Sequence, residues 1–298
     1  MRQPSSVAPD LVGDTATGDS TPAQNPARQT LRLATFNVHM GVDGWGRPYD
    51  LVAECASLDA DVLVLQEAWT SDDGTPGTAA TVAGRLGYQV VEHVLGEGRR
   101  VRPNPDAGDS WIKQPSWTPA NRALFMDGVK PQPLKVQRLA RWQEAERGQW
   151  GIAVLVRPGL PIEATRLLHL SVLRADQVRR AALVVDLTAE GRPISVAGTH
   201  MSHLHFGSHR NWAELRSQLR HGARPDAVLA GDMNTWGPLV HVFIPGWRRA
   251  VIGRTWPAWR PHSQIDHIMV RGALRPYDGE VLENAGSDHR PVRVELGF

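Results

Sequence analysis

The stretch Asp226-Ala227-Val228-Leu229-Ala230-Gly231-Asp232-Met233-Asn234-Thr235-Trp236-Gly237-Pro238 decides how this chain is read. Ala227 to Ala230 is a short apolar run whose length suits a buried strand better than a helix. Gly231 frees the backbone to turn, and Asp232 and Asn234 stand at the strand's end. Two residues apart on an extended chain, their side chains leave on the same side. A carboxylate and a carboxamide thus point together into whatever lies above the strand. Trp236-Gly237-Pro238 stops the strand and opens a loop. By itself the segment also reads as an ordinary Asx-rich turn; its meaning depends on the other segments.

Those segments repeat one arrangement. Leu31 to Phe36 reads as a strand entering a core and ends in Asn37, an amide that when buried must be hydrogen-bonded or face a site. Asp61-Val-Leu-Val-Leu65 is a second buried strand, followed by Gln66 and Glu67. Ile162–Leu170, Val178–Leu187 and Pro193–Thr199 read as closely spaced antiparallel strands after Gly151–Val156, separated by Gly-x-Pro turns. The last of them delivers His200. Gln264–Val270 reads as a strand with a central carboxylate, Asp266, and Gly286-Ser-Asp288-His289-Arg-Pro291 is a loop before a final strand, Val292–Leu296. Helices are expected after Pro48, with Tyr49, Val52, Ala53 and Ala56 on one face, over Thr78–Leu86, and over Ser208–His221. Tyr88–Val94 reads as a further strand.

Two regions break the pattern. Met1 to Thr30 is Ser, Thr, Pro, Ala, Asp and Gln almost throughout, and reads as a disordered tail (1–30) ahead of a domain spanning 31–298. From Gly96 to Gly148, prolines at 103, 105, 115, 119, 131 and 133 interrupt any periodicity, with Trp111, Trp117 and several arginines between them. This insert (96–148) reads equally as a substrate-facing rim or as a variable surface insertion. Lys135–Arg147 within it is expected to be a short charged helix.

Composition sets outer limits. The 298 residues are 41% hydrophobic and 21% charged, a soluble globular balance. No run approaches the roughly 20 apolar residues that span a bilayer, and the first thirty lack a signal peptide's apolar centre; a cytoplasmic location and a monomer are expected. The single cysteine, Cys55, excludes an internal disulfide framework and a cysteine-rich zinc site, and is expected in the core. Of 33 basic residues only Lys113, Lys130 and Lys135 are lysines. Arginine is the better bidentate partner for phosphate, although a GC-rich genome gives the same bias.

Asn37, Glu67, His200, Asp232 with Asn234, and Asp288 with His289 all lie at or just past the ends of apolar strands, and Asp266 lies within one. Polar groups at strand ends over a layered sheet share one rim, where ligands bind. Hard oxygen donors suit Mg²⁺ or Mn²⁺, and imidazoles suit proton transfer near neutral pH. Together they describe a hydrolase of phosphate esters.

Thr35-Phe-Asn37, Leu65-Gln-Glu67, Gly198-Thr-His200, Gly231-Asp-Met-Asn234, Ile265-Asp-His-Ile268 and Ser287-Asp-His-Arg-Pro-Val292 resemble the ordered motif set of the endonuclease/exonuclease/phosphatase superfamily. The resemblance runs from Leu31 to the C-terminus outside the insert. It implies a deoxyribonuclease I-like fold, a four-layer α/β/β/α sandwich of two mixed, mostly antiparallel sheets. It implies a metal-dependent phosphodiesterase or nuclease, with a phosphate-ester substrate and possibly nucleic acid as partner. A phosphatase or phospholipase C-type enzyme, or a catalytically silent phosphate-binding module, are the rival readings. By the same resemblance Glu67 would hold Mg²⁺ (or Mn²⁺) with support from Asn37, and Asp288 would complete a metal position. His289 would be the general base or would orient the water, with Asp266 fixing its tautomer. Asp232 would activate or position the water. Asn234, His200 and Asn37 would contact the substrate phosphate. The acid that pairs with the His200 equivalent in deoxyribonuclease-like members has no counterpart in the sequence, so proton donation by His200 is in doubt.

Other residues read more simply. His203, His205 and His209 form a His-rich surface loop rather than a zinc set. Arg179 and Arg180 read as solvated edge residues, with a contact from one of them to substrate phosphate as the alternative. Trp256 and Trp259 would stack on a base or lipid headgroup, or join the core.

Overall fold

The protein, seen in a computed structural model, is described over residues 30–42, 48–101, 145–176, 178–283 and 286–298. The tail up to residue 29, the glycines at 44 and 46, and residues 102–144 of the 96–148 insert lie outside the described residues.

Among the described residues, twelve strands form two six-stranded sheets. The first contains β1 (Thr30–Asn37), β2 (Val62–Ser71), β3 (Gln89–Val101), β4 (Ala145–Val156), β11 (Arg275–Val281) and β12 (Val292–Gly297), in the order β11-β12-β1-β2-β4-β3. The second contains β5 (Ile162–His169), β6 (Ala181–Ala189), β7 (Arg192–His200), β8 (Ala227–Asp232), β9 (Arg248–Arg249) and β10 (Asp266–Arg271), in the order β5-β6-β7-β8-β10-β9. Each sheet has one parallel pair at its centre, β1 with β2 and β7 with β8; its other pairs are antiparallel.

Alternation along the strands builds three apolar layers. Leu31 and Leu33, Val62 and Val64, Ile152 and Val154, Val228 and Ala230, and Ile268 and Val270 point between the sheets. Ala34 and Phe36, Leu63 and Leu65, and Ala153 and Leu155 point the other way, onto α1 (Leu51–Ser57) and α2 (Thr78–Leu86). On the far side Ala197, Leu229 and Met269 meet Trp212, Leu215 and Leu219 of α3 (His209–Gly222) and Val240 of α4 (Val240–Phe243). The result is the α/β/β/α sandwich the motifs imply. Each Leu, Ile, Val or Phe so buried is worth roughly 1.5–3 kcal/mol. That packing, rather than helix propensity, holds α1 and α2, which are too short to persist alone.

Two glycines set how closely the layers approach. A Cβ on Gly198 would lie 2.7 Å from Val64 Cγ1 and 3.2 Å from Val154 Cγ2, so the sheets close over a missing side chain. Gly231, at φ +146°, would place a Cβ 1.9 Å from the carbonyl oxygen of Thr199, in the parallel partner strand. No other residue fits there.

Several local expectations change. In α1, Ala53 and Ala56 face solvent, and Leu51 and Cys55, with Leu58 beyond the helix, form the buried face. Asp50 caps this helix by accepting the Ala53 amide at 3.0 Å. Strand β3 runs on to Val101, and Ala145–Arg147 belong to β4, not to a helix. Asp266 opens β10 rather than sitting at its centre.

Candidate active site

Topology brings the polar residues to one place. β1 and β2 are parallel and end at the same rim; β12 runs antiparallel to β1, so the loop before it, with Asp288 and His289, arrives at that rim too. In the second sheet β7 and β8 end side by side, His200 opposite Asp232, and β10 begins opposite Asp232 at Asp266. Parity does the rest. Asn37 follows Leu31, Leu33 and Thr35, Asp232 follows Val228 and Ala230, and His200 follows Ile194, Val196 and Gly198, each set pointing between the sheets. The site is the polar mouth of the layer between the sheets.

Glu67 reaches this mouth by a break in the ladder. The β2–β4 register shifts between Gln66 and Ala68, and Glu67 carries the extra residue at φ +55°. Such bulges re-aim side chains, and a non-glycine residue at positive φ is a strained position kept where the surroundings enforce it. Asn234 (φ +46°) and His39 (φ +44°) share the feature.

All eight residues singled out from the sequence are joined by contacts of 4.0 Å or less. The Asn37 side-chain amide donates to Glu67 Oε1 and to Asp232 Oδ2, both at 3.1 Å. Its own oxygen accepts from the His39 backbone N–H at 3.0 Å, which fixes the amide's orientation. Asp232 Oδ2 lies 3.6 Å from His200 Nε2 and 3.8 Å from His289 Nε2; its Oδ1 accepts the Asn234 backbone N–H at 2.9 Å. His289 Nδ1 faces both oxygens of Asp266, at 2.9 and 3.1 Å, and its Nε2 is 4.0 Å from Asp288 Oδ1. The Asn234 side chain is anchored on the Met201 carbonyl at 2.9 Å. Ser287 donates to the Asn37 carbonyl at 2.7 Å and accepts the His289 amide, tying the Asp288–His289 loop to β1.

Burial and charge give these groups distinct protonation states. Burial and the neighbouring Asp266 push Asp232 up to about 7, against the pull of His289 and its amide donors. Burial would make His289 a weak base, but Asp266, Asp288 and Asp232 outweigh it and hold the imidazole protonated well above its usual range. His200 is the reverse: burial, then Arg180, His289 and His203, hold it neutral well below the usual value. Burial works against the Asp288 carboxylate, but His39 and His289 keep it ionised at lower pH than usual.

Two sets of acids suit different tasks. Asp232, Asp266 and His289 present ligand atoms within 4.8 Å of one another. Both Asp266 oxygens are engaged by His289, however, and Asp232 is half protonated near neutrality, so this trio is better suited to moving protons than to holding a cation. Glu67, half-buried with one carboxylate oxygen held by Asn37, and Asp288 are the more open hard donors.

The structure adds Arg180 and Trp150 to the site and places His39, which the sequence gives either as shaping the site or as packed, beside Asp288. Arg180 is buried rather than solvated: it pairs with Asp176 at 2.8 Å, lies 5.2 Å from the Trp150 ring centroid and donates to the His200 carbonyl at 3.5 Å. Trp150 packs edge-on against the His200 ring, 5.7 Å between centroids. His39 lies 3.9 Å from Asp288 and hydrogen-bonds the Val42 carbonyl through Nδ1 at 3.0 Å. The only early sign of Arg180's role was an acid four residues upstream, Asp176. His203, His205 and His209 are exposed; the first two have stacked rings ahead of α3, and His209 opens that helix.

A fold of two stacked mixed sheets with acids and imidazoles gathered at one mouth defines a class, and the comparisons agree with it. The family model described as "Endonuclease/Exonuclease/phosphatase family" matches residues 34–289, and the chain belongs to that family. The family's name joins three kinds of phosphoester hydrolase. Among solved structures, an endonuclease/exonuclease/phosphatase family protein from Leptotrichia buccalis C-1013-b is similar, with a TM-score of 0.63 and 15% identity over 90% of this chain and 100% of its own. One from Beutenbergia cavernae DSM 12333 has a TM-score of 0.59 and 21% identity, over 91% of this chain and 72% of its own. The human Nocturnin catalytic domain, solved with a bound sulfate anion, gives 0.60 and 16% over 91% and 94%. No curated protein matches. At such identities the structural likeness is one of fold.

Proposed function

We propose that this chain hydrolyses phosphoester bonds by in-line attack of an activated water, with Mg²⁺ or Mn²⁺ as its cation. Two hydrogen bonds across the seam between the sheets carry the reading: Asn37 to Asp232, and His289 to Asp266. They lock the acids and imidazoles of both sheets into one preorganised cluster, which a surface rim or a structural ion pair would not need. Glu67 and Asp288 would hold the cation, which when bound would neutralise charge on the phosphoryl oxygens. Asn37 orients Glu67 through its amino group.

Asp232 takes the proton from the attacking water. A pKa near 7 leaves the carboxylate partly ionised at neutral pH and basic enough to take a proton. His289 acts as an imidazolium held in orientation by Asp266, steadying negative charge on the phosphate. Asn234, anchored through one amide hydrogen on Met201, has the second for a phosphate oxygen. His200, held neutral, serves to bind a phosphate oxygen rather than to protonate the leaving group.

The test is turnover of bis-p-nitrophenyl phosphate. Activity should vanish in EDTA and return with Mg²⁺ or Mn²⁺. Turnover that persists undiminished in EDTA would remove the cation from the account.

A further inference from the structure

The flank of the mouth that runs from β8 to β10 carries a surface that the reaction does not use. Between Asp232 and Asp266 the sequence has no aspartate or glutamate, yet it has Arg248, Arg249, Arg254 and Arg260 and the tryptophans at 236, 247, 256 and 259. The helical segment from Gly237 to Phe243 carries apolar residues on both sides, with the exposed His241 its one basic residue. Its inner side is accounted for: Val240 and the following Ile244 are buried, and Phe243 stacks on Trp212 with ring centroids 5.8 Å apart. Its outer side shows Trp236, Leu239 and Val242 at a spacing of three, 65%, 44% and 69% exposed, and Ile252 is 78% exposed.

Gln264 holds the residues beside Trp236 and Ile252 close together. Gln264 accepts the Gly237 amide on its backbone oxygen at 3.0 Å and the Gly253 amide on its side chain at 3.2 Å, pinning the residues next to both. A helix needs one apolar face to join a core; a second, left to water on a segment whose own charged residues are all arginines, with the acids of β11 behind Ala250 and Val251, needs a partner that is apolar and anionic at once.

We propose that this flank docks on an anionic lipid surface, setting the mouth against the membrane. Three of the four exposed apolar residues are aliphatic. Leu239, Val242 and Ile252 cannot stack on nucleobases as aromatic residues do, but they can enter the acyl boundary, with Trp236 at the headgroup level. Arg254 and Arg260, exposed on the same stretch, supply the charge complement, each basic group near such a surface favouring binding about fivefold.

The experiment uses the full chain, sedimented with vesicles of phosphatidylcholine alone or with roughly a third phosphatidylserine. Binding is expected to the anionic vesicles. The triple variant Leu239→Ser, Val242→Ser, Ile252→Ser should lower the partition coefficient at least about tenfold. Arg254→Gln with Arg260→Gln should lower it at low salt, and by less as salt screens the surface. Bis-p-nitrophenyl phosphate turnover and melting temperature should be unchanged in the serine variant, which separates docking from the reaction. No binding to anionic vesicles, or equal binding by the serine variant, overturns the proposal. So does a clear fall in that variant's melting temperature, which would show the side chains covered by the chain itself. Loss in that variant of single-stranded oligonucleotide binding, or of a concentration-dependent dimer, in place of vesicle binding would reassign the surface and equally overturn the lipid assignment.

Discussion

Asp266→Asn removes one charge from the site and almost no volume. Asp266 is fully buried, and both its oxygens contact His289 Nδ1, at 2.9 and 3.1 Å. It also acts on two neighbours in the same sense: its negative charge raises His289 and raises Asp232. The amide should therefore let the His289 pKa fall towards the ordinary value and the Asp232 pKa fall below about 7. With a protonated His289 and an ionised Asp232 as the working pair, activity in the parent rises with pH as Asp232 ionises and declines as His289 loses its proton. Both limbs should move to lower pH in the variant. A hydrogen bond to a charged group is worth about 1.5–3 kcal/mol, or roughly 10–150-fold in rate if the transition state feels all of it. A ring no longer held in orientation adds to that loss, so the expected fall in kcat is about 10²–10⁴-fold. The assays are a pH–rate profile on bis-p-nitrophenyl phosphate with Mg²⁺ and an NMR titration of the histidines in metal-free protein. A variant within threefold or so of the parent in kcat, with His289 titrating as before, would refute the role given to the Asp266–His289 pair.

Gly231→Ala should not be tolerated. A Cβ would meet the Thr199 carbonyl at 1.9 Å, and the β7–β8 pair that aligns His200 with Asp232 would have to separate. A loss of roughly 3 kcal/mol or more is expected in denaturant unfolding, and a change under about 1 kcal/mol would contradict the geometry. His267 gives a pH dependence. Burial holds its pKa at about 4 against the ordinary 6.5, with its Nε2 donating to the Thr235 carbonyl at 2.9 Å. Above pH 6.5 both folded and unfolded forms carry it neutral; as pH falls towards about 4 only the unfolded chain gains the proton. Stability should drop by roughly 3 kcal/mol across that window, and His267→Gln should flatten the decline. An unchanged slope in the variant would show that other groups set the acid limit.

Much of the site was legible because its signal is local. Each strand carries an apolar face and then a polar residue of the same parity, and the pattern survives in sequence at Asn37, His200 and Asp232. The helix at Thr78–Leu86 was legible for a similar reason: Gly87 follows it in the left-handed conformation, φ +76°, a position that favours glycine. What was lost depends on distant partners. Gly96, Gly98 and Gly148 fall at or inside the bounds of the stretch whose periodicity reads as broken by prolines. In the structure they lie within β3 and β4, where a Cβ on Gly96 or Gly98 would sit 3.3 Å from the Trp150 ring, and one on Gly148 2.6 Å from that of Trp69. A glycine that seats an indole cannot be told from one that ends a strand without knowing where the indole lies. Arg180 was misread because its partner Asp176 sits in an irregular loop. Strand β11 left no trace because it is an edge strand, half exposed, with Pro276 in it and a register shift between Tyr277 and Glu280.

The most direct measurement is the position of Mn²⁺, located by anomalous diffraction from crystals of the parent chain and of Glu67→Gln. The parent should show one strong peak within coordination distance of the Glu67 and Asp288 carboxylates, and the variant should lose it or need far more Mn²⁺ to show it. A peak on the exposed histidines 203, 205 and 209, with nothing at the mouth between the sheets, would contradict the assignment.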